Sequence, residues 1–293
     1  GFQLRSDMST TLIVAISQSG TTTDTNRTVD LARGRGAKVV AIVNRRNSDL
    51  TDKADGVLYT ADGRDVEMSV ASTKAFYSQI AAGMLLAYGI AAEIPGARTA
   101  DDPEEQEVLA ALAVLPAVLK ATLEVRPQAA EAAQRYAVSR RYWALVGNGP
   151  NIISAREVRI KLSELCYKSI ACDATEDKKH IDLSSEPLIL VCAAGLVGST
   201  ADDVGKEIAI FRAHKAAPIV IATEGASEFT AAAHVISVPE THPRLAFILS
   251  AMAGHLFGYE AALAIDAQAR ILREARVVVE GALAAGEDAG QLL

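Results

Sequence analysis

Leu12-Ile13-Val14-Ala15-Ile16-Ser17-Gln18-Ser19-Gly20-Thr21-Thr22 decides how this chain is read. Its first five residues are an unbroken apolar run of strand length, the pattern of a parallel strand buried on both faces. Asp24-Thr25-Asn26-Arg27-Thr28-Val29-Asp30-Leu31-Ala32 follows with a helical pattern. A loop of small hydroxyl residues and one glycine therefore joins a strand end to a helix start. The free N–H groups of a helix N-terminus carry partial positive charge and suit an anion. Ser17, Ser19, Thr21 and Thr22 add hydroxyl donors, and Gly20 removes the Cβ that would hold an anion away. The loop reads as a phosphate cradle. It is neither a Walker loop, since no Gly-Lys-Ser/Thr follows, nor G-x-G-x-x-G. A plain Ser/Thr-capped helix start would carry the same residues, so the loop alone leaves both readings open.

Outward from this stretch, strand and helix alternate. Ala37–Val43 and Gly56–Thr60 read as strands, Ser48–Ala54 as a short helix and Ser72–Ile90 as a long one. Such alternation implies an α/β fold with a parallel sheet and helices on both faces. Asp101-Asp102-Pro103-Glu104-Glu105 reads as an acidic linker turn, followed by helices near Leu109–Leu123 and Pro127–Ser139. A second α/β run has strands near Trp143–Val146, Leu188–Cys192, Ile219–Ala222 and Val235–Val238. Its helices fall near Ser154–Tyr167, Asp202–His214 and Leu245–Ile265. Two similar halves suggest an internal duplication. After them, Ala267–Glu280 reads as a tail ending in a mobile small-residue stretch.

The bulk properties bound the function. A length of 293 residues allows one large domain or two ordinary ones. The net charge of −7 argues against a nucleic-acid surface, so any phosphate site must be local. The three cysteines, Cys166, Cys172 and Cys192, are odd in number, lack metal spacing and fit a reducing cytoplasm. No unbroken run of eighteen apolar residues occurs, so no membrane is expected. The first residues, Gly1-Phe2-Gln3-Leu4-Arg5, do not read as a signal peptide, and without a leading methionine the chain reads as a fragment or a processed product.

Chemistry-bearing residues gather in the second half. Lys161 and Glu164, three apart on a helical pattern, would share a face. The pair reads either as a surface ion pair or as a general base with a cationic partner, since burial can raise a glutamate towards neutrality. Asp177-Lys178-Lys179-His180 adds a histidine able to move a proton at neutral pH, or simply a solvated one.

Ser17-Gln18-Ser19-Gly20-x-Thr22 and Val70-Ala71-Ser72-Thr73-Lys74-Ala75-Phe76 closely resemble the sugar isomerase (SIS) half of the glutamine–fructose-6-phosphate aminotransferases, the glucosamine-6-phosphate synthases. The match runs in order through Glu67, Glu157, Lys161-x-x-Glu164 with Tyr167, Lys179-His180 and a terminal Val277–Glu280. It implies two tandem SIS units: 1–100, lacking its N-terminal part, and 140–265, with linker helices over 101–139 and a tail over 266–293. It implies that Ser17, Gln18, Ser19 and Thr22 bind the sugar phosphate, with Val70 and Ser72 contacting the substrate. Glu164 would shuttle the proton between C1 and C2, Lys161 would support that region, and His180 would assist ring opening from a neighbouring subunit. The resemblance thus implies a cytoplasmic homodimer acting on a hexose phosphate, with a glutaminase domain on a missing N-terminal part. No metal or organic cofactor is implied, because a carboxylate base suffices for an enediol route. A non-catalytic phosphosugar-binding regulator, or an isomerase or deaminase of another amino sugar phosphate, are the alternatives.

The chain also departs from that family. Glu176-Asp177-Lys178-Lys179-His180-Ile181-Asp182 stands where the family has Gly-Glu-Leu-Lys-His-Gly-Pro. The family's tail lysine, proposed to handle the sugar carbonyl, has no counterpart, since no lysine follows Lys215. Arg273 and Arg276 lie nearby, but a guanidinium stays protonated and forms no Schiff base. Altered amination is therefore expected.

Overall fold

The computed structural model describes residues 4–61, 72–96, 102–180 and 183–285. It divides into two compact units, Gly1–Gln106 and Glu107–Leu293.

In the first unit β1 (Leu12–Ser17), β2 (Lys38–Val43) and β3 (Gly56–Tyr59) form a parallel sheet in the order β1-β2-β3. The strands alternate with α1 (Thr23–Arg33), α2 (Asp49–Lys53) and α3 (Lys74–Glu93). Ala15, Val39 and Ala41 of the sheet pack with Val29 of α1 and Leu50 of α2. Burial on both faces holds for β2, where Val39, Ala41, Ile42 and Val43 are inaccessible. It fails for β1, whose Leu12, Val14 and Ile16 are 45%, 42% and 53% exposed. Among the described residues β1 is an edge strand paired with β2, and its exposed residues alternate along one face while Ile13, Ala15 and Ser17 turn to the other.

α4 (Pro103–Thr122) starts inside the stretch read as a linker turn and continues into the second unit. Pro103 takes the first helical position, where a missing N–H costs nothing, and Glu104 and Glu105 lie in the first turn, where the helix dipole favours acid. Then come α5 (Arg126–Ala132), a π-helical turn Ala133–Ala137, and β4 (Trp143–Gly147), α6 (Asn151–Cys166), β5 (Ala171–Asp173), β6 (Leu188–Cys192), α7 (Gly198–Ala213), β7 (Ala217–Thr223), β8 (His234–Val238) and α8 (Pro243–Ala285). The sheet is wholly parallel, in the order β5-β4-β6-β7-β8. β5, absent from the sequence reading, is too short to show a period. Every residue of β4 and β6 is buried. Ile189 and Val191 face α7 in one apolar cluster, while α8 packs along α6 and against β7. α5, read as a connecting helix, packs against α8 within this unit.

The tail expected over 266–293 is corrected by α8, which runs unbroken to Ala285. No glycine or proline interrupts 266–280, and Arg270–Glu274 and Arg276–Glu280 pair across a turn. Among the described residues three helical stretches are long and apolar enough to cross a membrane: Lys74–Glu93, Pro103–Ala137 and Pro243–Ala282. The lack of an unbroken apolar run is therefore no argument against a membrane. In Pro243–Ala282 the apolar window is 61% buried inside the protein, against 6% in Lys74–Glu93.

Candidate active site

In the first unit the loop between β1 and α1 is held by its own hydroxyls. Ser17 Oγ accepts the Gly20 N–H at 3.0 Å, and Ser19 Oγ accepts from the N–H and hydroxyl of Thr21 at 3.3 and 3.0 Å. Asn26, buried on α1, donates Nδ2 to the carbonyls of Gly20 and Thr22 at 3.0 and 3.1 Å. The Gln18 carbonyl accepts the N–H groups of Asn44 and Arg45, both at 3.2 Å, which ties the loop to the end of β2. Gly20 has φ +68°, and a Cβ there would lie 2.0 Å from Ser48 Oγ. Thr22, the N-cap of α1, makes no side-chain cap, and Thr21 and Thr22 are exposed. The first-turn N–H groups, which have no intrahelical partner, thus keep no side-chain acceptor at the cap. Asp24 puts an acidic side chain in that same turn. Ser72 is half-buried just before Thr73, the N-cap of α3. Val70, with Glu67, lies outside the described residues.

In the second unit the Lys161–Glu164 pair is not formed. Lys161 Nζ lies 3.0 Å from Glu157 Oε1, one turn back, with the two side chains 11% and 12% exposed. Glu164 is exposed and has no ion pair among the described residues. Three residues along a helix turn by roughly 300°, which leaves the two side chains about 60° apart. That suffices to send one inward and the other out. His255 of α8 brings Nε2 to 3.4 Å from the same Glu157 oxygen. Burial pushes the Glu157 carboxyl up, but the His255 and Lys161 partners outweigh it and hold it below the ordinary glutamate value.

His180 ends the 3-10 turn Asp177–His180 and is exposed. Lys179 anchors that turn, with Nζ 2.7 Å from Glu207 of α7 and 3.5 Å from Glu176. The Glu207 hydrogen bond raises the Lys179 pKa. Glu176, where the resembling family has glycine, needs no positive φ. Beside the turn, Asn148, Glu176, Thr200, Asp203, Lys206 and Glu207 line a cavity of about 390 Å³. It lies where the chain leaves β4 and β6 to opposite sides, the point at which open α/β sheets form a crevice. Arg273 and Arg276 are exposed on α8 and paired with Asp266 and Glu280 at 2.8 and 2.7 Å.

Asn26, Glu207 and His255 were not singled out by sequence. Asn26 sits within the helical pattern that follows the loop, and its amide could have been noted there. Glu207 and His255 meet partners far away in sequence, and spacing holds no sign of them.

Residues 8–88 match the SIS domain family. The chain is 36% identical over 258 residues to glutamine–fructose-6-phosphate aminotransferase (isomerizing) of Thermus thermophilus, covering 87% of this chain and 42% of that protein. It is 34% identical over 260 residues to the protein of the same name from Corynebacterium glutamicum, covering 87% and 41%. The C-terminal domain of glucosamine-fructose-6-phosphate aminotransferase from Francisella tularensis superposes with a TM-score of 0.76 at 23% identity, over 87% of this chain and 72% of that one. The chain thus spans about two fifths of the length of the curated relatives it matches. The first unit carries a SIS domain, and the parallel-sheet architecture is that of the SIS fold.

Proposed function

We propose that this SIS-domain chain serves as the isomerase half of a glutamine–fructose-6-phosphate aminotransferase. The observation that carries the reading is the Ser17–Thr22 loop, which offers hydroxyls and an uncapped helix N-terminus to an anion. Ser17, Gln18, Ser19 and Thr22 bind the phosphate, and Val70 and Ser72 contact the sugar. Glu164 removes a proton from C1 of the open-chain ketose and returns it to C2 through an enediol. When ammonia has first replaced the C2 oxygen as water, the same transfer gives the 2-amino aldose, glucosamine 6-phosphate. Exposed Glu164 is free to meet a substrate, and exposed His180 is free to serve a neighbouring copy in a homodimer. The ammonia comes from a glutaminase part of the longer protein, and the setting is cytoplasmic.

Arg273 and Arg276, engaged in ion pairs where the family's tail lysine is expected, favour isomerisation over amination here. The test follows exchange of the C1 and C2 protons of fructose 6-phosphate with deuterated water in the full-length protein. Glu164→Gln is expected to keep sugar-phosphate binding and lose exchange; exchange at the wild-type rate would move the base elsewhere. Ser19→Ala and Thr22→Ala should each weaken binding by about 1.5–3 kcal/mol, the usual loss for a hydrogen bond to a charged group. Binding without any exchange in the wild type would instead favour a phosphosugar-binding module.

A further inference from the structure

Helix α8 comes unusually close to α6, and glycine permits it. A Cβ at Gly254 would fall 2.5 Å from Val158 Cγ2, and one at Gly258 would fall 3.0 Å from Leu162 Cδ1. His255, beside Gly254, is carried by this approach into the interior, where its side chain is 7% exposed. Its Nε2 is 3.4 Å from Glu157 Oε1, the oxygen that Lys161 Nζ meets at 3.0 Å. One carboxylate oxygen thus stands between an imidazole from α8 and an ammonium from its own helix. An ammonium as deep as that of Lys161 stays charged only beside a fixed counter-charge. A glutamate held from one side keeps rotamer freedom, whereas a contact from a second helix removes it. Buried ion clusters add little stability over apolar side chains of similar size, so this cluster's use lies elsewhere.

We propose that His255 is a positioning residue for proton transfer: from α8 it fixes Glu157, and through Glu157 it holds the Lys161 ammonium one turn before Glu164. The inference rests on Glu164 being the base, as proposed above. With that cluster fixed on the inward face, the turn of α6 that carries Glu164 outward does not shift as the C1 proton leaves.

The first measurement is independent of activity. Carbon NMR of the glutamate carboxyls follows Glu157 in the wild type and in His255→Leu. Glu157 is expected to titrate at a higher pH in the variant, because one of the two groups that lower it is gone. An unmoved titration overturns the brace. The second measurement is proton exchange on fructose 6-phosphate, with kcat and KM determined separately and folding checked by thermal unfolding. His255→Leu should lower kcat about tenfold or more with KM nearly unchanged, and His255→Gln, which retains an N–H donor, should restore most of it. Wild-type kcat in the leucine variant, equal losses in both variants, or a loss confined to KM overturns the positioning role. If His255→Leu fails to fold, His255→Gln and His255→Asn carry the same comparison against the wild type. A wild-type protein without exchange defeats the reading of Glu164 itself, and is told apart because Glu157 still answers to His255.

Discussion

Leu12-Ile13-Val14-Ala15-Ile16 in the first unit and Leu188-Ile189-Leu190-Val191-Cys192 in the second are nearly the same sentence written twice. Both are strands with a helix after them. Yet β6 is buried at every residue between β4 and β7, while β1 shows Leu12, Val14 and Ile16 to solvent at the edge of a three-stranded sheet. The difference lies in the neighbours. Apolar composition tells that a strand is able to be buried; sheet position decides whether it is. The loops that follow differ as well. After β1 come hydroxyls tied to one another around Gly20; after β6 come Ala193-Ala194-Gly195-Leu196-Val197, locked by the Asn151 amide on the Ala194 carbonyl at 2.9 Å and by Ser250 at 2.7 Å from Asn151 Oδ1. One loop is held by its own hydroxyls, with the exposed Thr22 leaving the start of α1 without a side-chain cap. The other spends its polar groups inside the protein.

The largest expected effect follows from that contrast. Leu190→Ala should destabilise the second unit by about 2–5 kcal/mol, since it empties a fully buried leucine site. Val14→Ala, on a half-exposed edge strand, should cost no more than about 1 kcal/mol. Denaturant unfolding of the chain measures both, and alkylation of the buried Cys192 reports the second unit alone. A Val14→Ala cost equal to that of Leu190→Ala would mean that β1 is covered in the working protein, and the comparison would collapse.

A smaller effect separates two glycines that share a left-handed backbone. Gly20 has φ +68°, and a Cβ would strike Ser48 Oγ at 2.0 Å and Ser48 Cβ at 2.7 Å. Gly149, after β4, has φ +53° with nothing within 4 Å of its Cβ position. Gly149→Ala should cost about 1–2 kcal/mol, the ordinary left-handed penalty. Gly20→Ala should cost more and also displace the loop, so fructose 6-phosphate affinity should fall in this variant and hold in the other. Calorimetry on the two variants decides it; equal affinities would detach the loop from phosphate binding.

These contrasts also mark what the sequence could say. Leu12–Ile16, Ala37–Val43 and Leu188–Cys192 announced their strands because continuous apolar runs leave few alternatives. The Ser17–Thr22 loop announced itself because hydroxyls and a glycine between strand and helix have a direct physical meaning. β5 was silent at three residues. The continuation of α8 past Ile265 hides in the sequence because a charged stretch resembles a tail, although Arg270–Glu274 and Arg276–Glu280 are helix pairs. Lys161 was assigned to Glu164 because spacing along one helix is all that a sequence displays. The partner Lys161 takes is Glu157, four residues back and as legible in spacing as Glu164, whereas His255, which meets Glu157 from α8, arrives by tertiary packing that no local pattern foretells.

The smallest expected effect tests that pairing through acid. The Glu157 carboxyl is held below the ordinary glutamate value of 4.5, because the His255 and Lys161 groups beside it outweigh burial. A group with a lowered folded pKa adds stability above its unfolded value and loses it as the pH falls through the folded one. The second unit should therefore weaken as the pH falls from above the ordinary glutamate value to below it, in part through this one carboxyl. Glu157→Gln cannot titrate, so its stability, whatever its level at neutral pH, should fall less steeply across that range. The effect is modest because burial and partners oppose each other. Urea midpoints for wild type and variant along this pH series measure the slope difference. Val14→Ala, which lies in the first unit and removes no titrating group, supplies the control and should run parallel to wild type. Parallel lines for wild type and Glu157→Gln would show that the carboxyl does not feel the lysine and histidine beside it, and the inward face of α6 would be mere packing, like that of α7.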